Sequence, residues 1–148
     1  MIQIHFFTED IKYRTRNTVQ LRRWLCTAVK MERKKVKNVN IILCSDALLL
    51  ELNKKHLKRN SLTDILTFPL SEIEGFISGD IFISVERVRV NGIIFKQKLE
   101  VELRRVIIHG ILHLIGYNDI DHDDKEKMRN KENIYLNLYD EIFPIKTI

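Results

Sequence analysis

The sequence predicts an α+β fold in which helices pack on a small central mixed sheet of about four strands. Short segments rich in Ile, Val, Leu and Phe alternate, early in the chain, with segments of helical period. The remainder of the chain is predicted to be helical, and its most apolar helix is expected to be buried. At 148 residues the chain is long enough for a substantial core, so we expect a single domain over residues 1–148.

The first half is predicted to alternate strands and helices. A strand is expected because Ile2, Ile4 and Phe6 fall on one side, and the next segment has an apolar stripe of helical spacing. The predicted elements are a strand at 2–7, a helix from Asn17 or Thr18 to about Glu32, a strand at 38–44, and a short helix capped by Ser45.

The second half is predicted to contain two further strands and then helices. A capping box of Asp123 and Glu126 is expected to start the last helix. The predicted elements are a polar loop at 53–62, strands at 64–68 and 77–83, a helix from Ser84 to about Gly92, a buried helix from about Lys98, and a polar helix from Asp123 to about Tyr139.

Two histidines four residues apart lie in the most apolar stretch of the chain, residues 106–119. On a helix, His109 and His113 point the same way one turn apart, so both rings can reach one ion. Gly116 permits the turn that ends a helix, and Asp119 follows three residues later. The spacing therefore predicts three protein ligands and an open fourth position, which is typical of a catalytic zinc site.

The ordinary explanation of one histidine on an apolar helix is a core residue bonded to a backbone carbonyl. Two histidines four residues apart, followed at short distances by a glycine and a carboxylate, favour a metal site instead. Gly110 stands where zinc peptidases of the His-Glu-x-x-His type carry their general base, which argues against a protease. We predict a metal-assisted hydrolase whose catalytic residues are His109 and His113, and whose metal ligands are these two and Asp119.

Charge favours a polyanionic substrate. The formal net charge is +5 and the sequence pI is about 9.2. Basic residues cluster at 30–37, 54–59 and 87–105. A basic surface beside a hydrolytic metal site favours nucleic acid, although Lys-rich helices are often no more than solvated faces.

The sequence also predicts a cytoplasmic protein that contacts no membrane. A run of about 18 apolar residues, which a spanning helix needs, is absent. The first residues are typical of a strand and not of a signal peptide. Cys26 and Cys44 lie in apolar surroundings, so we expect buried free thiols in a reducing compartment.

Several separated stretches resemble one family, the bacterial YbeY metal-dependent endoribonucleases. The resemblance runs in order over about residues 38–136, and its strongest part is His109-Gly-Ile-Leu-His-Leu-Ile-Gly-Tyr117. The other matching stretches are Leu52-Asn53, Leu62-Thr-Asp-Ile-Leu-Thr-Phe-Pro69, Gly79-Asp-Ile-Phe-Ile-Ser84, and Met128 with the pair Lys131-Glu132 after it.

The resemblance implies one zinc or similar divalent ion, a metzincin-like ligand arrangement and single-stranded RNA as the substrate. It also implies a role in maturing the 3′ end of small-subunit rRNA and in ribosome quality control. Ribosomal proteins or an assembly GTPase are the further partners that this role would bring.

The sequence departs from the family pattern at two places. Most members carry His as the third ligand, where this chain has Asp119. His122 is the alternative, but Asp119 keeps Met128 in register and a carboxylate is an acceptable zinc ligand. The family usually has Arg where this chain has Leu57, so Lys58 and Arg59 are the candidates for RNA binding.

The general base is not evident from the sequence. Asp64 and Asp80 lie in family-like segments, where we expect them to cap or orient structure, and a ribose 2′-OH could itself attack the phosphate. Three alternatives stay open at this point: an RNA-binding assembly protein with a structural ion, a metalloprotease, and a hydrolase of a small phosphate ester.

Overall fold

A computed structural model describes residues 3–57, 63–70 and 73–145. It contains four strands and five helices in these ranges. They are, in chain order, β1 (Ile4–Thr8), α1 (Thr18–Met31), β2 (Lys35–Cys44), α2 (Asp46–Leu57), β3 (Ile65–Pro69), β4 (Phe76–Ser84), α3 (Val85–Ile94), α4 (Leu99–Ile115) and α5 (His122–Ile142).

The four strands form one mixed sheet in the order β1-β2-β4-β3. Strand β2 pairs in parallel with β1 and β4, and β3 pairs antiparallel with β4 at the edge. Pro69 ends this edge strand, where its missing N–H costs no ladder hydrogen bond. The α+β class and the mixed sheet of four strands predicted from the sequence are confirmed.

Helix α4 is packed closely on the sheet. Ile107, Ile108 and Ile111 are fully buried, as expected from a helix that is apolar on most faces. Gly110 permits this approach, because a Cβ added there would lie 2.8 Å from Ile65 Cδ1 and 2.9 Å from Ile81 Cγ2. The close packing fixes α4 against β3 and β4, and so fixes the direction in which its histidines point.

Helices α1 and α5 pack against α4 and complete the core, and α1 also packs on β2. Trp24 is completely buried and donates its indole N–H to the backbone oxygen of Tyr135 at 2.7 Å. A buried stripe on the otherwise polar α5 consists of Met128, Glu132, Tyr135 and Tyr139. One member of that stripe is a carboxylate, and it belongs to the site described below.

Some predicted boundaries were wrong. Helix α2 continues to Leu57, so the predicted loop at 53–62 does not begin at 53, and Gly92 lies inside α3 instead of ending it. Asp121, not Asp123, caps α5, because its side chain accepts a hydrogen bond from the N–H of Asp124 at 2.8 Å. The caps predicted at Ser45 and Ser84 are confirmed by hydrogen bonds from the N–H groups of Leu48 and Arg87.

The prediction of two buried thiols was half right. Cys44 is buried in β2, whereas Cys26 lies on the exposed side of the amphipathic helix α1, and both are free. Among the described residues, no helix is long and apolar enough to cross a membrane.

Candidate metal centre

The histidines of α4 face each other across one helical turn. The Nε2 atoms of His109 and His113 lie 3.0 Å apart. Gly116 ends the helix with a φ of +127°, and the N–H of Tyr117 bonds back to the carbonyl of Leu112 at 3.0 Å. The chain therefore turns back beneath the histidines, as the glycine predicted.

This turn brings Asp119 to the two rings. Its Oδ2 atom lies 3.3 Å from Nε2 of His109 and 3.6 Å from Nε2 of His113. These three residues form a group whose ligand atoms all lie within 4.8 Å of one another. His122, the alternative third ligand, is the exposed first residue of α5 and is not part of the group.

The distances suit a tetrahedral ion. Ligand atoms at 2.0–2.2 Å from such an ion are separated by roughly 3.3–3.6 Å. The three observed separations, 3.0, 3.3 and 3.6 Å, are close to that range. A cation such as zinc, bound by these residues, would keep one position open to solvent, since Asp119 and both rings are partly exposed.

The outer nitrogens of both rings are bonded to oxygen acceptors. Nδ1 of His109 donates to Oε2 of Glu132 at 2.7 Å, and Nδ1 of His113 donates to the backbone oxygen of Tyr117 at 3.0 Å. In the neutral form of each ring, these bonds place the proton on Nδ1 and turn an Nε2 lone pair inward. Two lone pairs and a carboxylate facing one another repel unless a cation lies between them, so the donor set fits a metal ion.

Glu132, on α5, connects that helix to α4, the helix that carries His109 and His113 and is here called the metal helix. Besides His109, it accepts a hydrogen bond from Nη1 of Arg105 at 3.0 Å. Burial opposes its ionisation, but hydrogen bonding and the charges of His109 and Arg105 outweigh burial and lower the pKa of Glu132. Burial also opposes ionisation of His109, which for an imidazole lowers the pKa. The hydrogen bond and the charge of Glu132 outweigh burial, so the pKa of His109 is raised overall.

His113 is held in the neutral form that binds metals. Burial is the main cause that lowers its pKa, and the neighbouring His109 adds to the effect. The pKa values of the two histidines are therefore shifted in opposite directions. His109 is hydrogen-bonded to a carboxylate, whereas His113 is hydrogen-bonded to a backbone carbonyl.

A second acidic side chain holds the turn after α4. Glu32, at the end of α1, accepts a hydrogen bond from the hydroxyl of Tyr117 at 2.6 Å and another from Lys131 Nζ at 3.0 Å. It also accepts a hydrogen bond from the hydroxyl of Tyr135. Since the backbone oxygen of Tyr117 orients His113, this network stabilises the turn on which one ligand depends.

The site opens into a pocket of about 370 Å³, here called the metal pocket. His109 and Asp119 line it together with Asp64, Glu102, Arg105, Arg129 and Phe95. Burial raises the pKa of both Asp64 and Glu102. Asp64 accepts a hydrogen bond from Asn91 at 3.4 Å. Asp80, on β4, is not part of the pocket lining and accepts a hydrogen bond from Asn40 on the neighbouring strand β2 at 3.0 Å.

Sequence reasoning placed His109, His113 and Asp119 in one group. It matched the Lys131-Glu132 pair to the family without giving Glu132 a role in the site, and it missed Glu32. A signal for Glu132 did exist, because it occupies a position in the stripe of Met128 and Tyr135 that is otherwise apolar. Lys58 and Arg59, the predicted RNA-binding residues, lie outside the described residues.

Comparisons with known proteins identify the family to which this chain is similar. A family model described as Endoribonuclease YbeY matches residues 3–140. A relative of that description from Cytophaga hutchinsonii is 44% identical over 135 residues, which cover 91% of this chain and 94% of the relative. A relative from Karelsulcia muelleri, also described as Endoribonuclease YbeY, is 41% identical over 133 residues, covering 90% and 93% of the two chains.

A solved structure is similar as well. The solution structure of a Thermotoga maritima protein superposes with a TM-score of 0.65 at 31% sequence identity. The match covers 95% of this chain and 91% of that one.

Proposed function

This chain belongs to the endoribonuclease YbeY family, and from that premise we propose that it cuts single-stranded ribosomal RNA at the site of His109, His113 and Asp119. It is an endoribonuclease, a hydrolase of RNA phosphodiester bonds. The observation that carries the site assignment is the inward orientation of three ligand atoms, two of them fixed by hydrogen bonds on the far side of their rings. We treat residues 1–148 as one catalytic domain.

A zinc ion is the cofactor that this donor set favours. Two imidazoles and one carboxylate with an open position are the ligands of many catalytic zinc sites. Bound there, a divalent ion would polarise a phosphoryl oxygen and lower the pKa of water to about 7.

The side chains of the chain itself supply the rest of the chemistry. Glu132 holds the proton on Nδ1 of His109 and fixes that ring. Arg129 is more than half exposed at the rim of the metal pocket, and its guanidinium lies 3.6 Å from Glu132, so its remaining N–H groups can bind a phosphate oxygen. We propose that these groups position the phosphate and neutralise its charge.

Asp64 is the candidate for the proton transfer that the cleavage requires. It lines the metal pocket, and burial raises its pKa, so its carboxyl holds a proton more readily than an exposed aspartate does. We propose that Asp64 delivers this proton to the leaving oxygen. The earlier expectation, that Asp64 only caps or orients structure, stays an alternative.

The substrate is proposed as rRNA, with the 3′ end of small-subunit rRNA as the site of maturation and ribosome quality control as the wider role. Binding of RNA by Lys58 and Arg59, further contacts with ribosomal proteins or an assembly GTPase, and a cytoplasmic location stay predictions.

The metalloprotease alternative meets a structural obstacle. At the position of the peptidase general base, Gly110 faces Ile65 and Ile81 of the sheet, and a Cβ there would already be too close to both. A glutamate at that position would displace core side chains before it could reach the ion.

The proposed function is tested by RNA cleavage with and without metal. Purified protein is incubated with a single-stranded rRNA fragment, with the same sequence in a duplex, and with a small phosphate ester. We expect cleavage of the single strand only, its loss with a chelator, and its return with added zinc. Cleavage that persists after complete metal removal would contradict the site assignment, and turnover of the small ester alone would favour the phosphatase alternative.

A further inference from the structure

Four exposed cations surround one groove on another part of the surface. Lys12, Arg14 and Arg16 lie in the segment between β1 and α1, and Arg89 lies on α3. The groove that they line has a volume of about 620 Å³, and Leu99 and Glu100 at the start of α4 form another wall. We call it the basic groove.

Among the described residues, the cations of the basic groove outnumber its acidic side chains by four to one. Arg87 is paired with Asp46 at 3.0 Å and Arg105 with Glu132 at 3.0 Å. Within the described ranges, by contrast, none of the four groove cations is in an ion pair, and Glu100 is the single acidic side chain of the lining. Four like charges around one concave surface attract a polyanion and gain free energy from the counterions that it releases.

The basic groove is connected to the metal pocket by a short corner of the chain. Phe95 lines the metal pocket and Leu99 lines the groove, and only three residues lie between them in the chain. Such a stretch spans at most about 14 Å. Lys96 and Lys98 on this corner are exposed, and Phe95 is 56% exposed. An exposed aromatic ring flanked by cations is a surface on which an unpaired base can stack.

The groove also continues into a cavity of about 270 Å³, with Tyr13, Arg16 and Glu100 shared between the two. Arg104, which lines the cavity, lies with its guanidinium carbon 4.1 Å from the centroid of the Tyr139 ring. Cations around the rim, with a partly apolar cavity behind them, suit phosphates and bases together. This combination favours RNA over an acidic polypeptide.

We propose that the basic groove of Lys12, Arg14, Arg16 and Arg89 is a second contact surface for single-stranded RNA, which reaches it from the metal pocket across the corner of Phe95 to Lys98. The inference rests on the proposed function, because the scissile phosphate is taken to lie at the metal pocket and the path of the RNA is traced from there to the groove. Helix α4 places the groove on the side opposite to His109, since Glu100 and His109 are nine residues apart and about 180° around the helix. The RNA therefore bends around the start of α4.

The test compares two charge-removal variants on RNAs of two lengths. The groove variant is Lys12→Ala, Arg14→Ala and Arg16→Ala together. The matched control is Lys30→Ala, Lys35→Ala and Lys37→Ala, which removes three exposed cations from another surface. The long substrate extends the short one on either side of the same cleavage site, and the metal content and the melting temperature are measured for every variant.

We expect the groove variant to raise KM for the long RNA by about tenfold or more at physiological salt and to leave kcat unchanged. The log–log salt dependence of binding should fall by about 2, since each lost phosphate contact contributes about 0.7 for a single strand. The short RNA should be cut by the groove variant and by the wild type alike. The control variant should behave as the wild type on both substrates.

Besides an unchanged KM of the groove variant for the long RNA, two results would overturn the inference. One is an equal loss in the control variant, which would mean that general positive charge suffices. The other is displacement of the long RNA by poly-glutamate as readily as by an unlabelled RNA of equal charge. A protein that binds RNA through the groove and cuts none would refute the proposed function and support the groove, whereas cleavage of the long RNA unaffected by the groove variant would refute the groove alone.

Discussion

Nδ1 of His109 lies 2.7 Å from Oε2 of Glu132, and this contact joins the metal helix α4 to the C-terminal helix α5. A carboxylate behind a metal-binding imidazole fixes the ring and makes its inner nitrogen a better ligand. The contact therefore makes α5 part of the site, although the three ligands lie on α4 and on the turn that follows it.

Glu132→Gln should weaken metal binding about 10-fold or more, because residues behind the ligands commonly contribute 10- to 100-fold to affinity. The amide can still accept the hydrogen bond of His109, but it lacks the charge that supports it. Glu126→Gln, an exposed change on the same helix, is the control. Calorimetric zinc titration measures both variants, and equal affinities would show that Glu132 does not support the ligand.

Asp119→Ala should lower metal affinity by more than about 100-fold, since it removes a direct ligand and not a supporting residue. His122→Ala should change the affinity little, because His122 is exposed and outside the group of ligand atoms. Asp119→His should retain binding, since imidazole also suits zinc. Loss of the ion in His122→Ala with retention in Asp119→Ala would reverse the assignment of the third ligand.

Glu32→Gln should destabilise the fold by about 1–3 kcal/mol at pH 7, because the carboxylate accepts hydrogen bonds from Tyr117, Tyr135 and Lys131. Burial opposes ionisation of Glu32, but these bonds outweigh it and lower its pKa. Because the pKa of Glu32 is lower in the folded state than in the unfolded state, its ionisation stabilises the fold at pH values above the unfolded-state pKa. This stabilisation is lost as the pH falls through the folded-state pKa.

The difference between wild type and Glu32→Gln should therefore shrink from pH 7 towards pH 3. Chemical denaturation at several pH values measures it, with the exposed Glu51→Gln as the control. A difference that is independent of pH would mean that the charge of Glu32 contributes nothing.

The two thiols should differ in reactivity. Burial, together with the nearby charge of Asp10, raises the pKa of Cys44 to about 12, whereas Cys26 is exposed. At pH 8 one thiol per chain should react with an aromatic disulfide reagent in the folded protein, and two after unfolding. Peptide mapping should identify Cys26 as the reactive one, and rapid labelling of Cys44 would contradict the packing of β2.

The local parts of the site could be predicted from the sequence because they depend on periodicity. His109 and His113 are one turn apart on any helix, and Gly116 indicates the reversal that follows. The caps at Ser45 and Ser84 depend on equally local patterns.

The remaining parts of the site depend on contacts between distant segments. Glu132 lies 23 residues from His109 and Tyr117 lies 85 residues from Glu32, so no local spacing connects either pair. Helix α2 continues past Asn53, where the loop was predicted to begin, because Asn53 is buried, a tertiary effect that overrides its low helix propensity. The basic groove could not be predicted from Lys12, Arg14 and Arg16 alone, because it forms only when the fold places Arg89 beside them.

The most direct test of the catalytic metal site is His113→Ala, examined for bound metal, thermal unfolding and RNA cleavage in one preparation. Because α4 is held by the buried contacts of Ile107, Ile108 and Ile111, the fold should persist without the ion. We expect loss of bound zinc and of single-strand cleavage, with a cooperative unfolding transition close to that of metal-free wild type. Cleavage at the wild-type rate without bound metal, or an unfolded variant, would contradict a catalytic ion held at this site.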